Sequence, residues 1–504
     1  MGHWEQLELT PSHISYLTLS FFLINYVLFE KFIRNRLHLS EPPIALVLGI
    51  IVGPQVLGWV TPNFCGANGC HGEISMPGDS EVGGWGWGDD VVQEATRVIV
   101  GIQVFAVGVE LPAYYMGKHW KSLAMMLGPV MTVGWLVSAT LVMLIFKTSF
   151  TIALVVAACL TPTDPVLAAS ILSNSQFSER VPKRIKELLS VETGCNDGTS
   201  FPFLYIGLFL LTKSSVGEAI KEWFLITILW QCAFSIVVGV SIGTAFNRIL
   251  RFSVKHEYVA RSGFLTFYLL LALLSVGIGS ILGADDFLVS FGCGYGFSRD
   301  GWFSEETAET KLPQIIDLML NSAMFVYLGA IIPWQNFAPQ ELQPYVTIPR
   351  LLAFVVLVLL LRRIPVIMAL YRFIPHIHTW REAFFCGHFG PMGLGGLFLA
   401  IEARAILETG TAEPLPKPDI GEPPWTPREK ALQIVWPIVC FTVMSSTLVH
   451  GLSVLVLSIV GHFRRPKDKR AALLAGETDP LVGMNHDDED SEEGYGAVDH
   501  SQTS

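Results

Sequence analysis

Apolar residues run along this chain in stretches of about twenty, the length an α-helix needs to cross the hydrocarbon core of a bilayer. About thirteen such stretches predict thirteen spans, at 13–33, 43–60, 91–111, 122–146, 150–172, 188–211, 223–246, 263–282, 284–298, 314–333, 350–372, 382–403 and 431–460. Residues 263–298 also read as one re-entrant feature, and 431–460 is long enough to tilt or kink. The expected fold is an all-α polytopic membrane protein.

Two spans are interrupted. In span 5, Thr161-Pro162-Thr163-Asp164-Pro165 sets two prolines around a carboxylate. Each proline removes a backbone donor and obstructs the preceding turn, so the helix is expected to break near Asp164. Seven spans later, His388-Phe389-Gly390-Pro391-Met392-Gly393-Leu394-Gly395-Gly396 interrupts span 12. An odd offset inverts the second unit relative to the first. Residues of about 13–211 and 263–460 therefore predict inverted repeats, joined by a linker span at 223–246. That reading rests on the positions of the breaks, because the two halves do not visibly align.

Composition agrees with a membrane protein: 51% hydrophobic and 15% charged residues, with a mean hydropathy of +0.48. Soluble domains carry about 25% charge. No basic region precedes the first apolar run, so 13–33 is expected to be a retained span rather than a signal peptide. Much of the acid behind the net charge of −11 lies after Met484. Residues 461–504 are expected to form an acidic, mostly disordered cytoplasmic tail beyond a transmembrane domain at 1–460. Alternate connections hold 22 Lys and Arg against 8 in the opposite set. Positive-inside then puts the N-terminus outside and the C-terminus in the cytoplasm. Of the 8 cysteines none has CxxC metal spacing, six fall in apolar spans, and Cys65 and Cys70 share a polar loop where a disulfide is possible. The sequence has no GxxxxGK phosphate cradle and no concentrated nucleic-acid surface, and no cofactor is expected.

The residues that can carry chemistry are charges at membrane depth, where a carboxylate costs at least roughly 2.5–3.5 kcal/mol on insertion scales. Asp197 follows Asn196 in Glu192-Thr193-Gly194-Cys195-Asn196-Asp197-Gly198. Desolvation favours the neutral form of such a group. It can then hold a proton or a monovalent cation but not both, and competition for one site is sufficient for exchange. Asp164 lies where freed carbonyls and the Thr161 and Thr163 hydroxyls supply oxygen ligands; it also suits the positive end of a half-helix. Glu192 lies five positions before Asp197, about 140° round the helix, and need not share its face. Arg362 and Arg363 in span 11 need an acid, with Glu192 the best-placed candidate, and one of the two is expected to snorkel to the cytoplasmic edge. Asp285 and Asp286 read equally as helix caps or as acids where ions enter. His388 suits a pH sensor, a donor to a carbonyl, or plain packing. Asn25, Arg97 and Asp317 lie within spans without an assigned role.

The two aspartate motifs together resemble the monovalent cation/proton antiporter superfamily, and the Asn196-Asp197 pair resembles its electroneutral branch. With Phe105-Ala106-Val107-Gly108-Val109-Glu110-Leu111-Pro112, Gly283-Ala284-Asp285-Asp286-Phe287 and Cys386-Gly387-His388-Phe389-Gly390-Pro391-Met392-Gly393, residues of about 10–462 resemble fungal plasma-membrane sodium/proton antiporters. The short tail is unlike the long tails of many of them. The resemblance implies that Asp197 carries H⁺ or the cation, that Asp164 and Thr163 help ligate it, and that Asn196 holds the crossing of two broken helices. Glu192 would pair with Arg363, with Arg362 the alternative, and Thr193 would stand at a ligating hydroxyl position. It also implies a homodimer in plasma-membrane lipid, each protomer having a dimerisation domain and a core that moves like an elevator. The activity implied is exchange of cytosolic Na⁺, also Li⁺ and with K⁺ left open, for external H⁺, serving salt tolerance and pH homeostasis. The rivals are a cation channel with acids lining its pore and an intramembrane aspartyl protease. Neither aspartate has the Tyr-Asp or Gly-x-Gly-Asp setting of such a protease.

Overall fold

The computed structural model describes residues 11–37, 39–60, 89–112, 114–165, 167–168, 181–303, 312–415 and 424–464. The Cys65/Cys70 loop and the acidic tail lie outside them. Among the described residues every regular element is helical. In chain order these are α1 (Pro11–Arg36), α2 (Glu41–Val52), α3 (Asp89–Glu110), α4 (Tyr115–Phe146), α5 (Phe150–Ala158), α6 (Lys183–Thr199), α7 (Phe201–Thr212) and α8 (Val216–Lys255). There follow α9 (Arg261–Ile281), α10 (Asp286–Ser298), α11 (Leu312–Ile331), α12 (Ile348–Leu361), α13 (Ile364–Leu370), α14 (Trp380–His388), α15 (Leu394–Thr409) and α16 (Pro427–Arg464). Among the described residues, six segments are long and apolar enough to cross a membrane: α1, α3, α4, α8, the stretch Ile348–Phe373 and α16.

Local chemistry sets the helix ends. The Asp285 side chain accepts from Leu288 N (3.0 Å) and opens α10. A capping box between Thr379 and Glu382 opens α14, satisfying two donors that the first turn leaves without partners. Gly410, at φ +78°, closes α15. α5 and α14 are each 9 residues long, about 14 Å at the helical rise, so neither crosses a bilayer alone. They stop at the interruptions expected at 161–165 and 388–396.

Of four stretches, 43–60, 188–211, 263–298 and 350–372, three depart from the expected spans and one follows them. The stretch 43–60 is helical only to Val52, because Gly53 ends α2. The stretch 188–211 is two helices that meet at Ser200, where Pro202 sits in the first turn of α7. The spans expected at 263–282 and 284–298 are two helices packed on each other, α9 and α10, rather than the alternative of one re-entrant feature, and Gly283 at φ +59° makes the turn between them. The stretch 350–372 breaks at Arg362–Arg363: Arg363 has φ −124°, and Pro365 withholds the donor that would continue the helix.

Three apolar clusters hold the elements together. The largest runs through α5, α7, α15 and α16. A second, around Leu188, Ile367 and Phe389, joins α6, α13 and α14. A third, around Phe105, Tyr268 and Phe297, joins α3, α9 and α10. Glycines let backbones touch between several helices, as small residues do in membrane packing. A Cβ on Gly243 of α8 would collide with the Cys293 carbonyl of α10, one on Gly294 of α10 with the Phe105 carbonyl of α3, and one on Gly49 of α2 with the Val326 carbonyl of α11.

Gly243→Val is expected to lower stability by about 1–3 kcal/mol or more through forced separation of α8 and α10. Gly217→Ala, at an open position of the same helix, should leave it unchanged. Thermal unfolding of detergent-purified protein checks this, and equal midpoints for the two variants would mean that the seam is not a close backbone contact.

Candidate functional site

The two interruptions meet. Asp164 N donates to the Pro391 carbonyl at 2.8 Å, so the first break is hydrogen-bonded to the second. The Asp164 carboxylate accepts from Leu167 N (2.7 Å) and Leu394 N (3.4 Å). Those two donors belong to the helical turns that resume after each break. One buried acid therefore serves two helix N-termini, whose free N–H groups and partial positive charge favour an anion.

Arg362 makes the complementary contact. Its guanidinium donates to the Leu160 carbonyl, just past the end of α5, and to the Gly390 carbonyl (2.9 Å), just past the end of α14. Arg363 takes the acid: its two terminal nitrogens donate to Glu192 Oε1 and Oε2, each at 2.6 Å, and its Nε donates to the Cys386 carbonyl at 3.0 Å. Both arginines are 7% exposed, so neither snorkels to the cytoplasmic edge. The break between α12 and α13 turns both inward, toward carbonyls and an acid that bind a guanidinium better than an interface does.

Asn196 ties α6 to the first break. Its Oδ1 accepts from Thr163 N (3.0 Å), and its Nδ2 donates to Thr163 Oγ1 (2.5 Å) and Glu192 Oε1 (3.4 Å). The next residue of α6, about 100° round the helix, is Asp197, which is 2% exposed. Its Oδ1 has no hydrogen-bond partner among the described residues. This oxygen points at the start of α15: a Cβ on Gly395 would collide with it and would lie 3.3 Å from the Pro162 ring. A buried carboxylate oxygen without a donor is costly; among the described residues Asp285 Oδ2, at the start of α10, is in the same state. Thr193 is fully buried, and its hydroxyl donates to the Ser190 carbonyl (2.9 Å). Met126, Trp135, Thr161, Glu192, Arg362 and Arg363 line a cavity of about 20 Å³, room for one water.

The remaining candidates separate. Asp285 caps α10 and lies beside α6, its Oδ1 3.2 Å from where a Cβ on Gly198 would be. Asp286 turns away and pairs with Arg97 at 2.6 Å. His388 faces α16, 3.1 Å from Ser453 Oγ, rather than the break.

Several polar residues that support this arrangement are not picked out by the sequence reading. Ser446 Oγ accepts from Met392 N (2.9 Å), and His450 Nε2 lies 2.9 Å from the His388 carbonyl, so α16 braces the second break. A second buried network joins α3 to α7, α10 and α15: Gln93 and Tyr205 donate to Glu402 at 2.6 and 3.0 Å, and Arg404 pairs with Asp89 at 2.6 Å. The signal available was the charged run Glu402-Ala403-Arg404 inside an apolar span, which calls for partners as strongly as Asp197 does.

A family model described as "Sodium/hydrogen exchanger, transmembrane" matches residues 18–459. The chain is 41% identical over 462 residues to "Na(+)/H(+) antiporter 2" of Zygosaccharomyces rouxii, covering 90% of this chain and 54% of that protein. It is 41% identical over 465 residues to the "Na(+)/H(+) antiporter" of Saccharomyces cerevisiae, covering 92% and 45%. The chain thus spans about half the length of these curated relatives. A Schizosaccharomyces pombe "Na(+)/H(+) antiporter" is 34% identical, covering 92% of this chain and 93% of that protein. Among solved structures, the sodium proton antiporter MjNhaP1 from Methanocaldococcus jannaschii shares the fold, with a TM-score of 0.61 at 18% identity over 90% of this chain and 99% of that one.

Removing one member of the Glu192–Arg363 pair strands the other in the membrane interior. Arg363→Gln is expected to cost about 3–5 kcal/mol of stability, and Glu192→Gln combined with Arg363→Gln to recover much of it. Thermal unfolding of the single and double variants measures the difference; additive losses would show that the two side chains are not coupled.

Proposed function

Because the chain belongs to the transmembrane sodium/hydrogen exchanger family, we propose that it is a secondary transporter exchanging cytosolic Na⁺ for external H⁺. The observation that carries this reading is Asp197 Oδ1: buried, without a donor among the described residues, and aimed at the crossing of two broken helices. A proton or an alkali ion satisfies it equally, and only one of them fits on a single carboxylate at a time. Asp164, Thr163, Thr193 and Asn196 are the candidate ligands and positioning groups around it. Li⁺ is a second substrate in this reading, and K⁺ is the ion to be tested.

With Asp197 the single exchanging group and Asp164 permanently ionised, each half-cycle carries one positive charge, so exchange is one for one and electroneutral. Alternating access moves the site between the two sides, elevator-like, within a homodimer of inverted repeats with about thirteen spans. The N-terminus is external and the tail cytoplasmic. In a plasma membrane with an inward proton gradient, this exchange exports Na⁺ and serves salt tolerance and pH homeostasis. The helix breaks support the repeats, and the family supports the substrates.

In proteoliposomes, Asp197→Asn is expected to abolish Na⁺-dependent proton flux while leaving the thermal unfolding midpoint near the wild-type value. Exchange at the wild-type rate would remove Asp197 from the mechanism. Competition also fixes the pH dependence: where the carboxyl is mostly protonated, the Na⁺ concentration for half-maximal flux should rise about tenfold for each pH unit of acidification. An imposed membrane potential should leave the rate nearly unchanged, and a strong voltage dependence would contradict one-for-one exchange.

A further inference from the structure

Glu41 is a further buried acid, and the exchange scheme does not use it. It opens α2 and is 4% exposed. Among the described residues it has no cation at ion-pair distance; Ser322 Oγ of α11 donates to its carboxylate. An acid at a helix start is ordinarily a cap, held by the N–H groups of the first turn. That account fails here, because the next two residues are Pro42 and Pro43, which have no N–H to give. The same lack shows at Ser40, just before the helix, whose buried Oγ has no partner among the described residues.

The neighbours of Glu41 are polar. Asn321 of α11 is fully buried, its Oδ1 accepts from Gln103 of α3 (3.5 Å), and its Nδ2 has no hydrogen-bond partner among the described residues. The cluster also lies beside the crossing. Pro43 sits against Gly451 of α16, and the adjacent His450 lies 2.9 Å from the His388 carbonyl at the second break. Asp164 of the first break and Asn321 are both near enough to act on the Glu41 charge, and Glu41 acts in turn on Tyr26 of α1.

We propose that Glu41 is a second binding carboxylate of the exchange path, a transit site where Na⁺ or H⁺ rests between the cytosol and Asp197. This inference rests on the exchange reading above and deepens it. A buried acid with no counter-charge is costly, and a monovalent cation or a proton removes that cost. Glu41 supplies the charge, the Ser40 and Ser322 hydroxyls supply neutral oxygens of the kind hard cations take, and the Asn321 amide offers the ionised carboxylate a donor. α2 begins directly after the connection that follows α1. In the orientation proposed above that connection is cytosolic, which puts Glu41 on the cytosolic side of Asp197.

Two measurements on purified protein in proteoliposomes test this. The first follows Na⁺-dependent proton flux against Na⁺ concentration at one alkaline pH. A unit charge roughly 10 Å from an ion, at an effective dielectric of about 20, changes its affinity about tenfold. Glu41→Gln keeps the shape and the acceptor for Ser322 but not the charge, so the Na⁺ concentration for half-maximal flux is expected to rise about tenfold. Glu41→Asp keeps the charge and should recover most of that loss. A purely structural acid gives the reverse ranking, since Gln is the closer fit. A wild-type half-maximal concentration in folded Glu41→Gln overturns the inference. The second measurement needs no variant. Dicyclohexylcarbodiimide, which labels protonated carboxyls in apolar surroundings, is applied with Na⁺ or with choline, and the peptide containing Glu41 is followed by mass spectrometry. Na⁺ is expected to suppress the labelling, and choline to leave it. Equal labelling in the two salts overturns the inference even where Glu41→Gln does not fold. A wild type that does not exchange sinks the transport reading instead, so the two failures are distinguishable.

Discussion

A charge held away from water must be compensated within the protein, and at membrane depth the only materials are side chains and the ends of helices. The crossing is built from that constraint. Interrupting two helices creates two sets of unbonded N–H groups and two sets of unbonded carbonyls in one small volume. Asp164 answers the first and Arg362 the second. The Glu192–Arg363 pair then fixes α6 against the break between α12 and α13. With each of these groups satisfied, Asp197 Oδ1 and Asp285 Oδ2 are left buried without a donor among the described residues.

The same constraint organises the second network. Arg97 with Asp286, Arg404 with Asp89, and Glu402 between Gln93 and Tyr205 all join α3 to the helices around the crossing. Buried pairs of this kind fix register more than they add net stability. Here they hold α15, which carries the second break at its start, against α3 and α10.

How much of this is legible in the sequence depends on the kind of chemistry involved. The breaks are visible because they are backbone chemistry: Pro162, Pro165, Gly390 and Pro391 act on the helix that contains them. The break at Arg362–Arg363 is subtler, since only Pro365 announces it, and without it the fate of both arginines is misjudged. Side-chain pairings across the fold are less legible still. Glu192 and Asp197 lie on one helix, yet one faces Arg363 and the other Gly395, a division set by neighbours more than 170 residues away in the chain. His388 sits beside the second break in sequence but faces α16, and the bracing of that break falls to Ser446 and His450. Arg97 and Glu402 carry the same intramembrane warning as Asp197, but nothing local says which partner each will find.

The glycine seams bear on how such a molecule can deform. Where Gly243 meets the Cys293 carbonyl and Gly294 meets the Phe105 carbonyl, the helices interlock main chain to main chain, with no layer of pliable side chains to act as a lubricant. Sliding along such a joint lifts one helix over the next before any gain is returned. The trio α3, α8 and α10 therefore behaves as a stiff raft, and α2 with α11 as a second one. Shear is left to the contacts cushioned by long apolar side chains.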